Sequence, residues 1–301
     1  MVYTLTLNPA IDYTVFVPNY KDGIVNRTEN EQILAGGKGI NVSYVLNNLR
    51  FETCALGFVA GFTGNMIENM LSSSGIKCDF IRTNEGFSRI NVKIKAQTET
   101  EINAQGPKIT ADNLCMLYKK LDNIKDGDFI VLAGSHPKGV PCSIYCDIME
   151  YVKNKDVKII VDATKSFLTD TLKFKPFLIK PNSFELGEIF GKDLKTDEEI
   201  ITYALKLKDM GAQNVIVSLG KDGAIMITDN GNILKERAPK GNVINTTGAG
   251  DSLVAGFIAG YLEKNDFSYA FKMGICAGSA SAFSHNLATK EEIRHIFNNF
   301  K

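Results

Sequence analysis

Six short apolar runs, VYTLTLN (2–8), TCALGFV (53–59), DFIVLAG (128–134), VKIIVDA (157–163), FLIK (177–180) and NVIVSLG (214–220), recur along the chain. Most are separated by segments of helical period. Runs of this kind are strands buried on both faces, and strand–helix alternation has one common solution, a mostly parallel sheet covered by helices on both sides. The segment GKGINVSYVLNNLR shows the helical half of the pattern: Val42, Val45, Leu46 and Leu49 fall at i, i+3, i+4 and i+7, a stripe that faces a sheet. Further helices are predicted near 63–74, 110–123, 141–153, 183–190, 197–210, 251–263, 267–283 and 290–299. Two regions depart from the rhythm. Residues 12–35 and 87–104 alternate apolar with polar positions and carry no helix signal, so they read as half-exposed antiparallel strands forming a small second sheet. Such a sheet covers a cleft or a second subunit. Without repeats or flexible linkers, residues 1–301 are expected to make one α/β unit with a β lid.

Composition narrows the function. Lys plus Arg and Asp plus Glu number 34 each, so no global field attracts nucleic acid or an anionic membrane. An anion site must be local. The N-terminal residues lack a charged-then-apolar leader, and no stretch approaches the ~18 apolar residues of a membrane span, so a cytoplasmic protein is expected. The cysteines at 54, 78, 115, 142, 146 and 276 have no metal spacing and read as reduced and mostly buried.

The stretch NTTGAGDSLVAG (245–256) carries the most chemistry. Gly248, Ala249 and Gly250 strip side chains from the mouth of a predicted helix, and Asp251 stands at its edge. Unpaired amides and the dipole at a helix start favour an anion. A capping box would explain the acid differently, but it needs Ser or Thr at 248, which is Gly. The arrangement suits phosphoryl transfer, with Asp251 aiming and deprotonating a hydroxyl while the amides of 248–250 hold the phosphoryl oxygens. The helix terminus is expected to lower the Asp251 pKa slightly.

AGGKGINVS (35–43) is neither a P-loop nor a dinucleotide fingerprint. A structural turn would account for its glycines, whereas Lys38 and Asn41 add a cation and an amide suited to a hydroxylated anion. Asp12, just beyond the first strand, sits where open α/β sheets bind ligands, or is a turn residue. Arg27 and Arg89 lie in the two lid segments, either as solvated charges or as a pair converging on a phosphate. Asn182 and Glu185, three apart at a helix start, suit hydrated Mg²⁺ or are an ordinary first turn.

In this order, GGKGINVS, NTTGAGDSLVAG, LNPAID, GSHPKGVP (134–141) and KPNSFEL resemble the ribokinase superfamily, specifically its phosphofructokinase-B branch, over essentially the whole chain. ALGFVAGFTG (55–64) and RINVKI with TEINAQGP (89–107) are most similar to the bacterial 1-phosphofructokinase subfamily. Tyr44, where many relatives carry Arg, and His136, in place of Leu, depart from the pattern. The resemblance implies a three-layer αβα Rossmann-like domain whose β lid mediates a homodimer. It implies transfer from ATP, with Mg²⁺, to the 6-hydroxyl of fructose 1-phosphate, giving fructose 1,6-bisphosphate. Asp251 would be the base and Gly248, Ala249 and Gly250 the anion hole. Asp12, Gly37, Lys38, Asn41 and Arg89 match positions that contact the sugar phosphate, with Arg27 added. Lys180, Asn182, Ser218, Gly220 and Gly223 match the nucleotide side, beside Gly248 and Gly250, and Asn182 with Glu185 matches a pattern tied to Mg²⁺. Tagatose 6-phosphate and fructose 6-phosphate are the rival acceptors. A sensor without turnover and an NAD-dependent oxidoreductase are the rival classes.

Overall fold

The structure, a computed structural model, describes residues 1–300. Its strands are β1 (Val2–Thr6), β2 (Ala10–Phe16), β3 (Asn30–Gly36), β4 (Thr53–Ala60), β5 (Lys77–Cys78), β6 (Ile81–Thr83), β7 (Arg89–Lys95), β8 (Glu99–Ile102), β9 (Phe129–Ala133), β10 (Lys158–Asp162), β11 (Leu178–Ile179), β12 (Asn214–Ser218), β13 (Ala224–Ile227) and β14 (Ile233–Glu236). The helices are α1 (Lys38–Asn48), α2 (Gly61–Ser73), α3 (Ala111–Leu121), α4 (Ile144–Tyr151), α5 (Ser166–Thr169), α6 (Ser183–Phe190), α7 (Asp197–Asp209), α8 (Ala249–Lys264), α9 (Phe267–Ala282) and α10 (Lys290–Asn299). The main sheet runs β14-β13-β12-β11-β10-β9-β1-β4-β5, with β6 paired to β4. Pairing is parallel from β12 through to β5, and β13 and β14 add an antiparallel edge.

Alternate residues of the central strands feed opposite faces. Ile130 and Leu132 of β9 join one core with α3, α4 and α7. Phe129, Val131 and Ala133 join the other, with α1, α8, α9 and α10. That two-sided burial is why these strands read as continuous apolar runs. Helices α8 and α9 approach closely because small residues line their contact: a Cβ on Gly256 would lie 2.6 Å from Ala277 Cβ. This contact fixes the helix whose first turn carries Asp251.

The expected lid is present as a separate four-stranded sheet, β3-β2-β7-β8. It differs from expectation in one respect: β2 and β7 pair in parallel, with Asp12 opposite Asn91. The chain leaves the lid after β3, builds α1, β4 and α2 in the main domain, and re-enters it in the same direction as β2, which a hairpin could not do. A third apolar cluster, with Ile11, Ala35, Ile40, Val59 and Ile67, joins the lid to the body. α8 begins two residues earlier than predicted, and β13 and β14 were not expected. Of the cysteines only Cys276 is buried, while Cys115 and Cys142 are exposed, on the solvent side of α3 and in the turn before α4. No helix among the described residues is long and apolar enough to cross a membrane.

Candidate active site

Parallel strands all end on one edge, so the groups at and beyond their carboxyl ends converge there. Asp162 ends β10, Lys180 follows β11, Ser218 ends β12 and Asp12 lies in β2, past the end of β1. Helix α8 begins at the same edge. Its N-cap, Gly248, has φ 79°, and a Cβ there would meet Leu287 Cδ2 at 2.6 Å, so the position needs glycine on both counts. No side chain caps the helix. The N–H of Ala249 donates to the Thr246 carbonyl at 3.2 Å, whereas no acceptor among the described residues takes those of Gly248, Gly250 or Asp251. The amides free to meet an anion are therefore those of 248, 250 and 251, and Ala249 contributes a cavity wall.

Asp251 is buried, 7% exposed, and Asn41 Nδ2 donates to its Oδ2 at 2.7 Å. The expectation of a slightly lowered pKa is corrected. Burial, and then the negative charge of Asp162, push its carboxyl up to about 6 against the opposing pull of Asn41, Lys38 and Lys180. The dipole argument assumed an exposed acid, and desolvation overrides it. A carboxylate that titrates near neutrality is a competent general base.

Two ammonium groups flank this acid. Lys38 Nζ donates to Asp162 Oδ1 at 3.0 Å, and Lys180 Nζ lies 3.4 Å from Asp162 Oδ2. Lys180 also borders the amides: a Cβ on Gly250 would stand 3.3 Å from its Nζ. Burial opposes the Asp162 charge, but Lys180 and Lys38 outweigh it and hold that carboxyl below its usual range. Asp162 was not singled out in the sequence. The signal available was an acid directly after the apolar run IIV (159–161), at the carboxyl end of its strand.

Two cavities meet at the start of α8. The smaller, about 370 Å³, lies between lid and body, with Asp12, Thr14, Gln32, Lys93 and Lys95 on the lid side and Asn41, Asn245 and Thr247 on the other. Both oxygens of Asp12 are held: Asn91 Nδ2 donates to Oδ1 at 2.9 Å and Lys93 Nζ to Oδ2 at 3.0 Å. Asn91 and Lys93 are buried polar residues that sequence reasoning missed. They alternate along RINVKI with half-buried Ile90, Val92 and Ile94, so the lid turns its polar face inward. Arg89 and Arg27 do not converge here in one chain. Arg89 Nε donates to the Asn8 carbonyl at 3.0 Å, Arg27 is exposed in the loop between β2 and β3, and neither lines the cavity. Gly37 is the N-cap of α1, with Lys38 its first residue.

The larger cavity, about 650 Å³, is lined by Ser218, Gly220 and Gly223, by Ala249 and Gly250, and by apolar Val243, Ile275 and Phe283. Beside it, Asn182 and Glu185 form a reciprocal capping box: Asn182 Oδ1 accepts from the Glu185 N–H at 2.7 Å and Glu185 Oε2 from the Asn182 N–H at 2.8 Å. This engages the only side-chain oxygen of Asn182 and one of the two of Glu185. Among the described residues no group of three or more His, Cys, Asp or Glu could hold a metal ion. Glu185 Oε1, in no hydrogen bond among the described residues, suits a Mg²⁺ that keeps its waters and phosphate ligands rather than a caged ion.

Residues 3–294 match the pfkB family carbohydrate kinases. The chain is 41% identical to a 1-phosphofructokinase of Bacillus subtilis, over 98% of this chain and 97% of the relative. It is 39% identical to a D-tagatose-1-phosphate kinase of Bacillus licheniformis, over 95% and 94%. Phosphofructokinase-2 of Escherichia coli, solved with substrates and products, shares the fold at a TM-score of 0.93 and 24% identity, covering 99% of each chain. The ribokinase-like α/β fold expected from the sequence is the one observed. On a match that spans nearly its whole length, the chain belongs to the pfkB family of carbohydrate kinases.

Proposed function

We propose that this kinase transfers the γ-phosphoryl group of ATP to the 6-hydroxyl of fructose 1-phosphate. One observation carries the reading: a single turn, 247–251, walls both cavities, giving Thr247 to the smaller and Ala249 and Gly250 to the larger, with Asp251 bonded to Asn41 of the smaller. A sugar phosphate in the polar lid cavity presents its hydroxyl to Asp251. A nucleotide in the apolar cavity points its terminal phosphate at the amides of 248, 250 and 251. Asp251 takes the hydroxyl proton as the new P–O bond forms and the bond from the γ-phosphorus to the bridging oxygen breaks, so that ADP leaves with that oxygen; the amides with Lys180 offset charge on the phosphoryl oxygens. Glu185 would hold a Mg²⁺ ion, which when bound would supply further charge neutralisation on the phosphates. Lid and body exclude water as a competing acceptor.

The acceptor is tested by a coupled assay for ADP release with fructose 1-phosphate, tagatose 1-phosphate, fructose 6-phosphate and tagatose 6-phosphate. Highest kcat/KM with fructose 1-phosphate is expected. A preference for any other sugar moves the assignment to that sugar. Tagatose 1-phosphate is the second reading, because a relative of nearly equal identity bears that activity in its name and the two sugars differ only in configuration at C4.

Asp251 acts only when deprotonated, so kcat/KM for the acceptor is expected to be flat above its pKa. It should fall about tenfold per unit as pH drops below about 6. A pH–rate profile with its acid limb near 4 would place Asp251 in water, against the structure. Lys93→Met removes the ion pair that holds Asp12 and is expected to raise the acceptor KM at least about tenfold, with the KM for ATP unchanged. Steady-state kinetics in both substrates measure this. The apolar outer side of the lid, where Ile33 and Ile102 are exposed, supports a homodimer through the lid in a cytoplasmic enzyme. Sedimentation would measure the assembly.

A further inference from the structure

Asp162 takes no step in the transfer described above, yet it is the most enclosed acid in the site, 1% exposed. Its two oxygens go to lysines from different elements. Lys38, which opens α1 three residues before Asn41, donates to Oδ1 at 3.0 Å. Lys180, itself 5% exposed and packed by Gly250, approaches Oδ2 to 3.4 Å. That approach is too poorly directed for a hydrogen bond, so Oδ2 has no hydrogen-bond partner among the described residues. One carboxylate thus serves two ammonium groups and is imperfectly satisfied by one of them. For stability alone this is a poor use of a core position, because a buried, incompletely paired ion is worse than an apolar side chain. As a holder for cations that must meet an incoming anion, it is apt.

We propose that Asp162 is a positioning residue: it holds the ammonium groups of Lys38 and Lys180 beside the path of the phosphoryl group and yields part of their charge as that group moves. The proposal rests on the kinase reading. It gives Asp162 two further effects. Its charge repels the ground-state phosphates of ATP, so that the lysines are not spent on binding the nucleotide tightly. It also keeps Asp251 basic against Lys38 and Lys180, the two cations that face that acid from α1 and from the end of β11; Asn41 is its remaining polar neighbour, and Glu185 acts more remotely, through Lys38.

The test is Asp162→Asn. Removing a negative charge beside bound phosphates is expected to tighten ATP binding about three- to tenfold by calorimetry. With the lysines drawn onto the ground state, kcat is expected to fall about 10²-fold, and the acid limb of the pH–rate profile moves to lower pH. A residue that served only structure would weaken nucleotide binding and turnover together. Because the variant leaves Lys180 without a buried acid, thermal unfolding is followed in parallel. The double variant Asp162→Asn with Lys180→Met, which carries no unpaired buried charge at that point, is expected to fold and to lose the gain in ATP affinity. Weaker ATP binding in a folded Asp162→Asn protein overturns the proposal. So does a kcat within about threefold of wild type with the acid limb unmoved. If the unaltered enzyme phosphorylated no sugar phosphate, the kinase reading would fail instead, and calorimetry would still decide whether Asp162 opposes the nucleotide's charge.

Discussion

Asp251→Asn is expected to lower kcat by about 10³-fold while the KM values for ATP and the acceptor stay within a few-fold of wild type. General-base catalysis contributes about 10²–10⁴ in rate, and the amide keeps the volume of the acid and one oxygen for Asn41 but cannot take a proton. Stability separates this loss from misfolding. The Asp251 carboxyl is raised in the folded protein, so in the native state it holds its proton to a higher pH than in the unfolded chain. Stability is therefore lost as pH rises from the unfolded value through about 6, and at neutral pH the ionised acid is a burden of about 1–3 kcal/mol. Asparagine has no charge to bury. The variant should melt at a higher temperature than wild type at pH 7 while being almost inactive. A kcat within tenfold of wild type would remove Asp251 as the base.

Gly250→Val is expected to cost at least about 10² in kcat, with a raised KM for ATP, in a protein that remains folded. Position 250 lies in the first turn of α8 without positive φ, so the backbone accepts a side chain. The space in front of it does not, because the new Cβ stands 3.3 Å from Lys180 Nζ and the branch methyls extend further over the amide. Losing one oxyanion-type donor typically costs about 10²–10³, and displacing Lys180 adds to that. Gly248 is a useful contrast. A side chain there meets both the left-handed φ of 79° and Leu287, so Gly248→Ala should lower the melting temperature as well as the rate. Circular dichroism melts alongside kinetics would distinguish the two glycines.

The main sheet was legible because its central strands are buried on both faces and so leave unbroken apolar runs. Helix α8 was also visible, but its start was misplaced. Residues 251 to 260 are buried all round, which erases the stripe from which a boundary is read. The antiparallel strands β13 and β14 were lost for a different reason. Glycines, asparagines and charged residues flank each four-residue strand, a composition that reads as loop. The lid's inward polar face was foreseen as alternation, but the sign of its burial was not. A lysine in an exposed strand and Lys93, buried against Asp12, look identical in one dimension. Asp251 and the glycines before it were found because their spacing makes little sense without an anion. Asp162 was overlooked because one acid at a strand end carries no spacing at all; its meaning lies in Lys38 and Lys180, 124 residues before it and in the next strand's tail. Asn182 and Glu185 show the opposite hazard. Their spacing fits a cation and a capping box equally well, and the backbone bonds reveal that the box is made.

The parallel pairing of β2 with β7 bears on any attempt to transplant acceptor preference between relatives. Asp12 is contributed by one lid segment and its two anchors, Asn91 and Lys93, by the other, with about fifty residues of body between. A chimera that imports residues 10–36 alone, or 89–102 alone, would marry halves of two different locks. Only an exchange of both segments from the same donor would carry the selectivity intact.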